Sequence, residues 1–218
     1  QIEEVANDLL LKLRNLQSFD ISNNRIKQLP PQLFKGNPKL IVLHISRNLV
    51  KIVPQTLFSK LELLEDLDFS NNKIERLPKF LFTDLKNLKR LQLAENRIDY
   101  LPTGKTSLVL HSKLFRVLGL FDSLPNLEYL NFRKNHISSI SDKLFSSLQS
   151  LKSLQLTSNH LRRVTLLPST MSAKFLQLCL HFRYKLKILR IYSICKSYTW
   201  VKILYQSFPK TVSKPIST

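Results

Sequence analysis

Few side chains in this sequence stand where they could drive a reaction. Asp66 and Asp68 lie two residues apart, the arrangement of a carboxylate pair for general acid–base work. Such pairs operate where water is excluded and the two pKa values split; these two project into an open concavity. His136 and His160 fall one period apart and could share a metal ion, but no third ligand accompanies them. Gly104-Lys105-Thr106 resembles the end of a phosphate loop. The position where that loop needs its first glycine is Asp99, whose charge repels phosphate. There is no Gly-x-Ser-x-Gly, no His-Glu-x-x-His and no cysteine beside a plausible base. The expectation is a chain without catalysis, cofactor or metal.

The residues with a repeated position suit binding instead. One file reads Ser18, Val42, Asp66, Arg90, Tyr129, Ser153, and a second reads Asp20, His44, Asp68, Gln92, Asn131, Gln155. A third reads Asn23, Arg47, Asn71, Glu95, Lys134, Ser158. The acids Asp20, Asp66 and Asp68 belong to early members; Arg90, Tyr129, Arg133 and Lys134 belong to later ones. A polar surface with separated charges and one aromatic fits a protein ligand or co-receptor. The bland alternative is a solvated face. A further file, Arg25, Leu49, Lys73, Arg97, His136, His160, is mostly basic and fits a sulfated glycosaminoglycan or another polyanion, or simply a solvent-facing edge. Polyanion binding weakens steeply with salt, which separates it from binding at an apolar-anchored interface.

These files exist because the backbone repeats. Asn24, Asn48, Asn72, Asn96, Asn135 and Asn159 are spaced by 24 residues in four intervals and by 39 in the third. Each sits in Leu-x-x-Leu-x-Leu-x-x-Asn-x-Leu, as in Leu64, Leu67, Phe69, Asn72, Ile74. Alternation at period two makes a short strand with one face buried. A single turn cannot bury its leucines, so turns stack and share a core. The bend after the strand leaves backbone groups inside, and an Asn amide has the donors and acceptor to satisfy them. A recurring Phe (Phe34, Phe58, Phe82, Phe121, Phe145) fills the far side. Files one turn apart are then about 5 Å apart, the strand spacing. The expected architecture is an α/β solenoid over residues 1–164, with parallel strands on its concave face.

The pattern resembles the leucine-rich repeat family. Its 24-residue form with Leu-Pro-x-x-Leu-Phe, as at Leu77-Pro78 through Phe82, is similar to the typical repeats of Toll-type receptors, chaoptin, Slit-like proteins and small matrix proteoglycans. The resemblance implies an extracellular or plasma-membrane setting and recognition of a protein on the concave face. A matrix protein that binds polyanions and an intracellular scaffold are the alternatives. No specific nucleic-acid partner is expected, and oligomeric state is undetermined. The lack of Asn-x-Ser/Thr sequons withholds one mark of secretion.

The chain departs from that pattern in three places. Residues 1–15 align with the back half of a repeat, so the start reads as a fragment boundary rather than a biological beginning. A 15-residue insertion lies within 103–119. It reads as a convex-side loop, with helix as one form for it, or as untranslated sequence. From residue 165 the repeat stops. Residues 1–142 hold all 15 acids and 21 Lys plus Arg, whereas residues 143–218 hold 13 Lys plus Arg and no acid. The basic tail 165–218 is too interrupted by charge to span a membrane. Its readings are an anionic-membrane helix, a nucleic-acid contact, a cap, or, first among them, an aberrant end in place of a lost cap. Cysteine caps in the family are disulfide clusters, and only Cys179 and Cys195 occur here.

Overall fold

The computed structural model describes residues 1–103, 119–141 and 144–161, with the backbone strands at 107–110, 113–116 and 163–164. The expected basic tail, 165–218, lies outside the described residues. Each turn opens with a three-residue strand: β1 (Ser18–Asp20), β2 (Val42–His44), β3 (Asp66–Asp68) and β4 (Arg90–Gln92). The insertion carries β5 (Ser107–Leu110) and β6 (Lys113–Arg116). After it come β7 (Tyr129–Asn131), β8 (Ser139–Ile140), β9 (Ser153–Gln155) and β10 (Arg163–Val164). Six of these form one sheet in the order β1-β2-β3-β4-β7-β9. Every pairing is parallel and in register, so Asp66 lies opposite Val42 on one side and Arg90 on the other.

The alternation decides which way side chains face. The central residue of each strand from β2 onward, Leu43, Leu67, Leu91, Leu130 and Leu154, is buried, and its two neighbours turn outward. The chain leaves the strand through the ladder asparagines. Asn72 Nδ2 donates to the carbonyls of Phe69 and Ser70 in its own turn and of Ile45 in the turn before. Its Oδ1 accepts from Val50 N–H at 3.1 Å. Asn48, Asn96 and Asn135 repeat these bonds and are likewise buried. Asn24 and Asn159, in the outermost of these six turns, are only half-buried.

On the far side the chain returns through consecutive i to i+3 turns. Leu33, Leu57 and Leu81 donate to the carbonyls of Pro30, Pro54 and Pro78, each at 3.1 Å. The recurring phenylalanines form a spine beneath. Phe58 stacks on Phe82 at 6.3 Å, Phe82 on Phe121 at 6.2 Å, and Phe121 on Phe145 at 5.8 Å. Phe69 and Phe132 meet this spine edge-on from the strand side.

The insertion corrects one expectation. Its described backbone is a two-stranded antiparallel hairpin, β5 against β6, rather than a helix; Leu108 lies opposite Phe115 and Val109 opposite Leu114. Two four-residue runs rich in β-formers and separated by two residues have hairpin spacing. The hairpin leaves the solenoid undisturbed: β4 still pairs β7, Ile98 N–H still reaches Asn135, and Phe82 still stacks on Phe121.

Residues 1–15 pack as a half turn on the first full turn. Leu10 is buried there, and Ile2 N–H donates to Asn24 Oδ1. Asn37 stands where later turns carry Leu61, Leu85, Leu124 and Leu148. Fully buried, it donates to the carbonyls of Leu10 and Leu13, both at 2.9 Å. Beside it, a Cβ on Gly36 would meet Leu11 O at 2.6 Å, so only glycine allows this approach.

Candidate functional site

The sheet's outward face assembles the expected files, and the register makes them straight. Ser18, Val42, Asp66, Arg90, Tyr129 and Ser153 pair one to the next, and so do Asp20, His44, Asp68, Gln92, Asn131 and Gln155. Sequence spacing does not show how many of their members are already engaged.

Asp66 is the centre of one cluster. Arg90 Nε lies 2.9 Å from its Oδ2, and His44 Nε2 lies 3.9 Å from its Oδ1. That Oδ1 is buried and has no hydrogen bond. Arg90 keeps 60% of its side chain in solvent and Asp66 only 15%, so the exposed face of the pair is the guanidinium.

Asp20 and Asp68 have local work. Asp20 Oδ1 accepts from Ser22 N–H and Asp68 Oδ1 from Ser70 N–H, each at 2.8 Å. Both close the bend two residues on, as short acidic side chains do. The Ser22 bonds, with a smaller pull from His44, hold the Asp20 carboxyl below its ordinary range. Asn131 does the same with Arg133 N–H at 2.9 Å, donates to the Tyr129 hydroxyl at 3.3 Å, and is 8% exposed. Asp66 and Asp68 therefore do not act as a pair: one is held by a cation across the turn and the other by its own backbone.

Further along, Lys134 Nζ reaches Glu95 Oε1 at 2.9 Å. On the flank just before the strands, Lys89 pairs with Glu65 and Lys152 with Glu128. The Lys152 ammonium pulls the exposed Glu128 carboxyl below its ordinary range. Arg133 is exposed and has no ion pair among the described residues.

One regularity went unseen in the sequence. The whole third file is in the left-handed region, with φ of 59° at Asn23, 54° at Arg47 and Asn71, 56° at Glu95, 53° at Lys134 and 57° at Ser158. Asparagine tolerates that region, but Arg, Glu and Lys do so at a cost. The signal available was Asn at two of the six positions.

His136 and His160 do meet, with ring centroids 5.2 Å apart. Among the described residues no group of three His, Cys, Asp or Glu side chains is placed to hold a metal. No helix among them is long and apolar enough to cross a membrane.

The leucine-rich repeat family model matches residues 14–74, 64–109 and 106–161, and the chain belongs to that family. No curated protein matches it. Among solved structures it is similar to Toll of Drosophila in its complex with Spatzle, with 28% identity and a TM-score of 0.60. It is also similar to TLR13 in its complex with ssRNA13, with 28% identity and a TM-score of 0.58. The alignments cover 71% and 72% of this chain but only 20% and 21% of those chains. A leucine-rich repeat protein of Leptospira interrogans shares the fold at 24% identity and a TM-score of 0.58, over 74% of this chain and 35% of that one.

Proposed function

We propose that this chain is a non-enzymatic recognition surface of the ectodomain type, binding a protein ligand or co-receptor on the outward face of its sheet. The observation that carries this reading is the arrangement from β4 to β7. Arg90, Gln92, Tyr129, Arg133 and Lys134 stand on adjacent in-register turns, where Arg90 is exposed above a carboxylate that fixes it. Arginine and tyrosine held rigidly are the residue types that dominate binding energy at protein interfaces. Asp20, His44, Asp66, Asp68 and Asn131 then serve mainly to hold that surface in shape. The likeness to Toll, a receptor solved with a protein bound, supports the reading, as does the extracellular form of the repeat.

The test is capture at a defined face. A photo-crosslinking residue at Tyr129 should trap a protein from the extracellular medium or cell surface, and one at Phe80, on the return side, should not. Arg90→Ala and Tyr129→Ala should each weaken purified binding of that protein by about tenfold or more, the loss expected of central interface anchors. Equal capture at both positions, or no effect of either alanine, would place recognition elsewhere.

A further inference from the structure

We infer that this protein carries a second binding site, a straight cationic strip along the edge of the solenoid that takes a linear sulfated polysaccharide. The strip is the file that follows each ladder asparagine: Arg25, Lys73, Arg97, His136 and His160, with Leu49 in the second turn. It is separate from the sheet face and does not rest on the reading of that face.

Three observations carry the inference. The first is rigidity. Every member of the file donates its backbone N–H to the turn before: Arg25 to Ile2, Lys73 to Val50, Arg97 to Ile74, His136 to Ile98 and His160 to Ile137, all at 2.8–3.0 Å. The next residue in each of the first five turns donates to a ladder asparagine Oδ1, as Ile26 does to Asn48. Six turns at the ~4.8 Å strand spacing extend the strip over about 24 Å.

The second is the state of the charges. Elsewhere the solenoid neutralises cations between turns: Lys86 with Glu62, Lys89 with Glu65, Arg90 with Asp66, Lys134 with Glu95, Lys152 with Glu128. Arg25, Lys73 and Arg97 form no ion pair among the described residues. The third is composition. A linear sulfated chain offers regularly spaced anions, which Arg25, Lys73 and Arg97 can follow across the Leu49 gap. A single-stranded nucleic acid is usually held by aromatic platforms as well, and this file contains no Phe, Tyr or Trp. Two residues further on, Lys51 reinforces the strip in the second turn, whereas Lys27 is paired with Glu3 at 3.6 Å and Glu75 and Asp99 oppose the strip in the middle turns.

The experiment is heparin binding by the full chain at a series of salt concentrations, alongside single-stranded poly(U) and phosphatidylserine vesicles. Three proteins are compared: the parent, R25Q/K73Q/R97Q, and a control that removes equal charge from the basic tail, K185Q/K187Q/K196Q. All are first matched in unfolding midpoint. The strip variant should bind heparin about tenfold or more weakly, with a shallower dependence on salt, because fewer counterions are displaced. The tail control should retain more of its affinity than the strip variant. The inference is overturned if the strip variant stays within about twofold of the parent, if the tail control loses as much, or if poly(U) or the vesicles bind more tightly than heparin and show the same loss.

Discussion

At the scale of single residues, the ladder asparagines and the residues just before them divide the task of bending the chain. Asn72 satisfies three carbonyls and one N–H from a buried position. Asn72→Ala would strand Val50 N–H and leave the carbonyls of Ile45, Phe69 and Ser70 with one donor each, from Asn48, Asn96 and Arg47, so about 1–3 kcal/mol of stability should be lost in all. A denaturant unfolding midpoint equal to the parent's would refute the ladder role. The preceding file makes the bend in the left-handed region at all six turns. Arg47→Gly should therefore be neutral or mildly stabilising, since the αL cost of about 1–2 kcal/mol disappears while glycine's unfolded-chain entropy offsets part of it. Arg47→Val should be clearly worse than Arg47→Gly in the same titration. Equal midpoints would mean that the turn relaxes out of that region.

At the scale of elements, the strands and the phenylalanine spine are the common framework, and whatever lies between them can vary. The hairpin tests this. Deleting residues 104–118 restores a 24-residue fourth repeat, and the elements on either side are already paired with one another. Loop-closure entropy changes slowly with length, so the deletion should alter stability by under about 1 kcal/mol. A loss of several times that figure by thermal or chemical unfolding would show that the hairpin supports the turns. The strands, the ladder and the spine were all legible in the sequence, because one physical requirement acts identically on every turn and so leaves a period. The hairpin was not, because it occurs once and only local propensity speaks for it. Site assignments fared between these cases. Periodicity placed Asp20, Asp68 and Asn131 on the outward face, but their bonds to the backbone two residues on depend on side-chain geometry that spacing does not encode. Asn37 was hidden for the opposite reason: it breaks an apolar column, and the two carbonyls it serves belong to another turn.

At the scale of the whole solenoid, each turn touches only its neighbours. Stability is then close to a sum of turns and the interfaces between them, and opening begins at the ends. The exposure of the ladder follows that logic, since Asn48, Asn72, Asn96 and Asn135 are buried and Asn24 and Asn159 are not. Amide hydrogen exchange should be slowest in β3, β4 and β7 and faster towards β1 and β9. A profile flat across all six strands would indicate one all-or-none unit instead. The recognition proposed for Arg90 and Tyr129 falls on the turns expected to be most protected, which favours a preformed surface over one ordered by its ligand.

Thr103 and Gly119 are where fifteen additional residues leave and rejoin the coil, and the pairing and stacking on both sides close as though nothing intervened. The solenoid thus possesses a port: two backbone ends clamped at fixed positions by the same interactions that join uninterrupted turns elsewhere. Any polypeptide whose own ends can meet there, whether a peptide epitope, a reporter domain or a second binding module, can be grafted without renumbering the forces that hold the scaffold together.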